Sequence, residues 1–541
     1  MEVSGVEDGM TRRQNNLIVV ATLGLFSAGI RLLAARSAYP ACGDAGHFVQ
    51  HGVALANGVP GAMSTYWSQG MIAIAAAAVK LGLDPRYAMQ ATTLVSGVAV
   101  VLLFLGVVWR LTGSRGMALI GGVILAVNPT MVQYSITGYS EMPYMAFLMT
   151  GVWVSLSPCV KPLLTYGLAG ALIGVGGYFK GLDAAVAACG LGLFVLFQKS
   201  EGWRNKMTYA SAVPVMAFVV LLPLCIFTYA NSGSFTPGSK GGRAFLALGS
   251  DWADSKKVYA ADGLQLEKSS SADIMRQMPS RVISNAKETF RIFNRQIFIK
   301  GLQMGTILFF LVLARLALSL WQERIKETLL PLCLLLLQMI LLWLVLLHNR
   351  VLMPSLPWVV LLFLLASQTE MWRACIKSFG RGSVSIILLI FLSVNLLYSQ
   401  HAFASEFVWW RYANTKTCAK ILKAHGGTDK DVVMHYGPQL AVEFNKTNPL
   451  KTVEVPYGTI EQVSEVADKF NVRFIVISDS FRSHWPVARL FDEGISAPEN
   501  WVLLEELIFP KEEWTGWSGH PGERCRIYER RNAASSDMRC Q

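Results

Sequence analysis

The chain has 541 residues, 53% of them hydrophobic and only 16% charged, with a mean hydropathy of +0.40. Soluble domains carry about 25% charged residues, so this balance excludes an ordinary water-soluble protein and points to blocks that cross a bilayer. The net charge of +12 does not mark a nucleic-acid binder, because Lys and Arg sit mostly in short connections between apolar blocks and form no basic stripe interleaved with aromatics.

In chain order, an acidic, polar start and Arg12–Arg13 precede the apolar run Leu17–Ala35. No small-residue cleavage site follows, and Arg31 interrupts the far end of the run, so an uncleaved first span is expected rather than a signal peptide. The apolar pattern predicts about eleven spans. They fall near 15–35, 89–110, 116–134, 142–158, 163–179, 183–198, 208–230, 303–320, 328–347, 351–368 and 384–400. Residues 70–83 are apolar but short and end in Lys80 and Asp84, which suits an interfacial or re-entrant helix.

Arg12 and Arg13, Arg110 and Arg115, Lys161, the group Lys199, Arg204 and Lys206, Arg324 and Lys326, and Arg373, Lys377 and Arg381 all fall on one side in this register. Those short basic connections are expected to be cytoplasmic. The opposite face then receives the 36–88 loop, the turns at 135–141 and 179–182, the 231–302 loop and everything after residue 401. The 231–302 loop closes with a basic amphipathic stretch, Ile274 to Lys300, expected in the headgroup region. The tail changes character from about residue 404: Asp431–Tyr436, Arg473–Asp479, Trp501–Ile508 and Arg526–Glu529 read as strands. Thr459–Phe470 reads as a helix capped near Thr459 or Gly458. Strands alternating with helices predict a small α/β domain.

The cysteines are scattered. Cys159, Cys189, Cys225 and Cys333 fall in or beside apolar blocks as small hydrophobes, while Cys418, Cys525 and Cys540 lie in the tail, where an oxidising compartment would allow a disulfide among them. No C-x-x-C spacing supports a metal site.

Three features on the non-cytoplasmic face could carry chemistry: Gly43-Asp44-Ala45-Gly46-His47 after the first span, Tyr139-Ser140-Glu141 at the mouth of the fourth, and His348-Asn349-Arg350 through Pro357 entering the tenth. Carboxylates and an Arg at a membrane surface suit transfer of a group from a phosphate leaving group to an acceptor, with the carboxylate taking the acceptor proton. Asp44, His47 and His51, at i, i+3 and i+7, could share a helix face as a metal set. An interfacial helix is the favoured reading, since no fourth ligand is visible. A divalent metal is thus an open but not favoured reading, and the sequence assigns no cofactor. Bland alternatives also exist: Lys180 could pair with Asp183, Arg350 could be an interfacial anchor, and Glu141 could serve the helix dipole.

The order of Asp44 in an early loop, Asn128-Pro129 through Glu141, Phe179-Lys180-Gly181 and Arg350-Val-Leu-Met-Pro-Ser-Leu-Pro resembles the GT-C glycosyltransferases, nearest the aminoarabinose-transferase and protein O-mannosyltransferase type. The resemblance covers about residues 15–370. It implies a multi-pass GT-C-like catalytic domain over 1–403, an extracytoplasmic (periplasmic) α/β domain over 404–541, and a place in the inner (plasma) membrane. It further implies a polyprenyl-phosphate sugar donor, undecaprenyl or dolichyl, and a glycan, lipid or protein acceptor, with no nucleic acid. In that reading Asp44 is the base, Glu141 the second acidic residue, Lys180 and Arg350 contact the donor phosphate, and His47 belongs to the substrate site. Many members have Asp-Glu at the first motif and Tyr where His47 stands; here Ala45 follows Asp44. The rival expectations are a transporter or lipid-linked glycan flippase and a membrane-anchored sensor.

Overall fold

The computed structural model describes residues 4–36, 38, 40, 44–157, 161–197, 202–233, 235–238, 325–344, 353–366, 410–435, 438–455, 459–478, 486–492, 496–508 and 524–530. The expected spans at 303–320 and 384–400, the amphipathic stretch 274–300, Arg350 and Cys540 lie outside these residues. The described residues separate into two units by their contacts.

The first unit is helical. It holds α1 (Ser4–Ala35), α4 (Pro85–Thr112) from Gln90 onward, α5 (Arg115–Val127), α6 (Pro129–Ser135), α7 (Glu141–Ser155), α8 (Pro162–Gly176), α9 (Gly181–Leu196) and α10 (Trp203–Ser232), with α11 (Ile325–Leu344) and α12 (Leu356–Ala366). Among the described residues, Leu17–Ala35, α4 and α10 are each long and apolar enough to cross a membrane. The pair α5 and α6 makes a fourth candidate, bent by 62° at its junction. The bend has a local cause. Pro129 has no N–H to continue the ladder of α5, and Asn128 starts a new helix by accepting the Met131 N–H at 3.1 Å on its side-chain oxygen. The sequence pattern places one span at 116–134; the helix breaks inside it. Farther along, α8 packs closely on α7 and α10 through small residues such as Gly151 and Gly170.

Arg31 of α1 is fully buried in this apolar unit. Its Nη1 donates to Ser27 Oγ at 2.7 Å and to the Ala126 carbonyl at 3.2 Å, and its Nε donates to Ser135 Oγ at 3.1 Å. The Ala126 carbonyl lies just before the helix break, so the arginine satisfies a backbone acceptor in the last turn of α5. From α4, Thr93 donates to the Ser135 carbonyl at 3.0 Å and Gln90 to the Ile136 carbonyl at 2.8 Å. Two helices, α1 and α4, thus pin the end of α6, and with it the short turn that leads into α7.

The second unit combines the first loop with the tail. It contains α2 (Asp44–Ala56), α3 (Gln69–Lys80), α13 (Trp410–Ala424), β1 (Val432–His435), α14 (Pro438–Phe444), β2 (Thr452–Glu454), α15 (Ile460–Lys469), β3 (Val472–Ser478), β4 (Trp501–Ile508) and β5 (Arg524–Arg530). Twelve-residue α3 is about 18 Å long at 1.5 Å per residue, well short of a bilayer core of about 30 Å. The sheet has order β2-β1-β3-β5-β4, with β1 parallel to β2 and β3, and β5 antiparallel to β3 and β4. Of the two expected cap positions, Thr459 is the N-cap of α15, and it forms a capping box with Gln462. One face of the sheet buries Met434, Ile475 and Ile477 with Val463 of α15; the other buries Val433, Phe474 and Ile527 with Leu422 of α13.

The first loop is tied to the tail by polar contacts. Gln50 donates to the Pro449 carbonyl at 2.7 Å, Asn57 to the Thr447 carbonyl at 3.0 Å, and Arg86 pairs with Glu443 as well as Asp84. The tail partners lie within α14 or shortly after it.

Gly97 marks how closely the pinned helices approach. A Cβ there would stand 2.1 Å from Ser135 Oγ and 2.9 Å from Arg31 Nε, whereas one at Gly29 of α1 would meet nothing within 4 Å. Gly97→Ala should lower stability by about 1–3 kcal/mol through overpacking. Gly29→Ala should be neutral or stabilising by about 0.5–1 kcal/mol. Thermal melts of the two variants in detergent check this contrast.

Candidate active site

In the first unit the structure brings Glu141 and Lys180 together. Glu141 is the first residue of α7 and is 2% exposed. Lys180 stands at the start of α9, and its Nζ lies 3.2 Å from Glu141 Oε1. The local chain explains this aim. Helix α8 ends at Gly176, a tight turn returns the Lys180 N–H to the Gly176 carbonyl at 3.1 Å, and Phe179 stacks on Phe147 of α7. Gly181 is required next to it, because a Cβ there would sit 2.5 Å from the Pro237 carbonyl. The lysine is therefore committed to Glu141 rather than held in an exclusive pair with Asp183.

Asp183, one turn into α9, lies within electrostatic range of both Lys180 and Glu141, and its buried Oδ1 accepts no hydrogen bond. It lines a small cavity with Tyr144 and Leu148 of α7, Ala187 of α9, Gln338 of α11 and Trp358 of α12. The Gln338 amide nitrogen is likewise buried without an acceptor. Asp183 Oδ1 and the Gln338 amide thus give the cavity wall one acceptor and one donor.

Asp44 and His47 belong to the second unit. Asp44 opens α2, where the helix dipole favours its negative charge. His47, one turn on, stacks on Trp67 with ring centroids 4.3 Å apart and planes 12° from parallel. His51 is used otherwise: its Nδ1 donates to the Ala62 carbonyl at 2.8 Å. Burial pushes its imidazole pKa down, opposed in part by that bond. Among the described residues no three His, Cys, Asp or Glu side chains converge as a metal set. Arg350 lies outside the described residues; the stretch after it resumes as a one-turn 3-10 helix, Met353–Ser355, running into α12.

Sequence reasoning did not single out His435, the last residue of β1. It is 6% exposed; burial pushes its pKa down to about 3, and the nearby charge of His47 adds to the effect. The tail therefore supplies a neutral imidazole within electrostatic range of the residue that follows Asp44 by one turn. Nothing in the local pattern DVVMHY distinguishes this histidine from an ordinary strand end.

Two expectations follow. Lys180→Met removes the cation beside a buried carboxylate and should destabilise the protein by about 3 kcal/mol. Lys180→Met/Glu141→Gln should cost less than the sum of the single changes in denaturant titrations. For His435, the folded pKa of about 3 lies below the ordinary value of 6.5. Its contribution is complete above pH 6.5 and is lost as pH falls toward 3, because the unfolded chain binds the proton first. Unfolding midpoints of the full-length protein measured from pH 7 to 4 should fall more steeply for wild type than for His435→Gln.

No family model matches the sequence, and no curated protein matches it. Among solved structures, the chain is similar to an oligosaccharyltransferase of Archaeoglobus fulgidus tethered to an acceptor peptide. The TM-score is 0.55 at 13% identity, over 95% of this chain and 74% of that one. The same enzyme in complex with Zn and sulfate aligns with a TM-score of 0.53 at 13% identity, over 93% of this chain and 73% of that one. ArnT of Cupriavidus metallidurans bound to undecaprenyl phosphate aligns with a TM-score of 0.53 at 11% identity, over 95% of this chain and 98% of that one. Likeness over nearly the whole chain to these glycosyltransferases, with apolar membrane-length helices followed by a small C-terminal sheet, shows that this protein has a GT-C-like fold.

Proposed function

We propose that the chain is a membrane glycosyltransferase that moves a sugar from a polyprenyl-phosphate donor, undecaprenyl or dolichyl, to an acceptor hydroxyl or amide on the non-cytoplasmic face of the plasma membrane. The observation that carries this reading is the GT-C-like fold over nearly the full chain. It is supported by a helix opening on Asp44, by the buried Glu141–Lys180 pair, and by Asp183, which lies within electrostatic range of that pair and lines a small cavity. The ArnT structure holds undecaprenyl phosphate and the oligosaccharyltransferase an acceptor peptide, and the proposed donor and acceptor follow those two ligand classes.

In this mechanism the acceptor heteroatom attacks the anomeric carbon while the bond from that carbon to the phosphate oxygen breaks. Asp44 orients the acceptor and takes its proton. Lys180 and Arg350 offset the charge that builds on the departing lipid phosphate, which leaves without protonation. Glu141 holds the Lys180 ammonium in place. His47, flat against Trp67, offers a ring edge to a substrate hydroxyl. The domain at 404–541 stands on the same side and clasps the first-loop helix that opens on Asp44.

Membranes containing the full-length protein, incubated with labelled polyprenyl-phosphate sugar, should transfer label to an acceptor. Asp44→Asn should slow turnover by ~10²-fold or more, while Lys180→Met should chiefly weaken donor use. Wild-type turnover in Asp44→Asn would remove Asp44 from the mechanism. Movement of the lipid-linked sugar across the membrane without transfer would favour the flippase reading instead.

A further inference from the structure

Cys418 lies on α13 and Cys525 on β5, 107 residues apart in sequence, yet their sulfurs stand 3.8 Å from each other. That is van der Waals contact. Both residues are nearly inaccessible, 3% and 5% exposed, and both belong to the core that packs α13 and α14 on one face of the sheet. They pack there among Leu422, Val433, Leu440, Phe474 and Ile527. β5 is an inner strand, held by β3 on one side and β4 on the other, so Cys525 has a rigid backbone. Two buried small hydrophobes would satisfy packing alone. Sulfur against sulfur is a narrower arrangement, because the two thiols already face each other across the core from residues distant in sequence.

We propose that Cys418 and Cys525 are joined by a disulfide in the mature protein, stapling α13, which opens the tail's described chain, to the inner strand β5 near its end. The inference rests on the placement of the tail outside the cytoplasm, where thiols are oxidised. The two thiols lose two protons and two electrons as the S–S bond forms. A protein disulfide of an extracytoplasmic thiol–disulfide oxidase accepts them and becomes a dithiol. The bond closes a loop that contains β1, β2, β3 and β4, so it restrains almost the whole sheet in the unfolded chain. Because α14 and the segment after it bind Gln50 and Asn57 of the first loop, the staple also steadies the seat of the helix that begins at Asp44.

Full-length protein should be blocked with an alkylating reagent in intact cells, extracted without reductant, digested and analysed by mass spectrometry. The expected result is a Cys418–Cys525 linked peptide that disappears on reduction. In addition, dithiothreitol should lower the melting temperature of wild type by several degrees and leave Cys418→Ala and Cys525→Ala unchanged. In parallel, a Glu465→Cys reporter on the exposed side of α15 is probed with a membrane-impermeant maleimide to locate the tail. Alkylated Cys418 and Cys525 in protein whose reporter is labelled from outside would overturn the disulfide and leave the topology standing. Alkylated cysteines with a reporter protected from outside would overturn both. A linkage of Cys418 or Cys525 to a different cysteine, such as Cys540, would overturn the assigned pairing.

Discussion

The helical unit depends on one buried cation. Arg31 sits where an apolar run would place a lipid-like side chain, and its hydrogen bonds go to neutral oxygens on its own helix, on α5 and on α6. A guanidinium enclosed in protein needs such oxygens, and a broken helix supplies them: the Asn128-Pro129 break frees carbonyls that an unbroken span would keep for itself. The break and the arginine are complementary. Each would be costly in a bilayer without the other. Thr93 and Gln90 extend the same logic to the carbonyls of Ser135 and Ile136. The consequence for function is positional, because the next helix begins at Glu141.

Once Glu141 is placed, the remaining geometry follows from short-range packing. The turn after α8 is too tight to leave Lys180 free to wander, Phe179 locks against Phe147, and the ammonium lands on the carboxylate. Asp183 then joins a cluster in which two acids face one lysine. The second unit solves a different problem. A thirteen-residue helix after a span has little to hold it by itself. Here Gln50, Asn57 and Arg86 tie the first loop to α14 and the chain around it, so the tail acts as the seat of the loop that carries Asp44 and His47.

Much of the architecture was legible in local pattern. Apolar runs marked the helices later found at α4, α7, α8, α9 and α10, because burial in a bilayer is decided by composition over about 20 residues. Thr459 was one of two expected cap positions for its helix, and the strands RFIVISD and WVLLEELI showed β-branched and aromatic content. The three-residue strand β2 and the helix α13 were not read, the first because three residues carry no periodicity. The bend inside 116–134 was readable in principle from Asn128-Pro129, yet the apolar average hides it. Of the residues proposed for the site, Asp44, His47, Glu141 and Lys180 stand out in the sequence by type and order. Their partners were not.

The sequence by itself determined the membrane class, the places of the apolar helices, the α/β nature of the tail and a short list of polar residues at helix ends. All of these depend on composition within one helix or strand. Only the tertiary structure decided that Arg31 serves Ser135, 104 residues on, that Lys180 answers Glu141, that Gln50 reaches Pro449 across 399 residues, and that Cys418 meets Cys525. Those pairings arise because a buried polar group must find a partner wherever the packed chain brings one. Local periodicity records which face of a helix is buried, and it holds no information about what that face will meet.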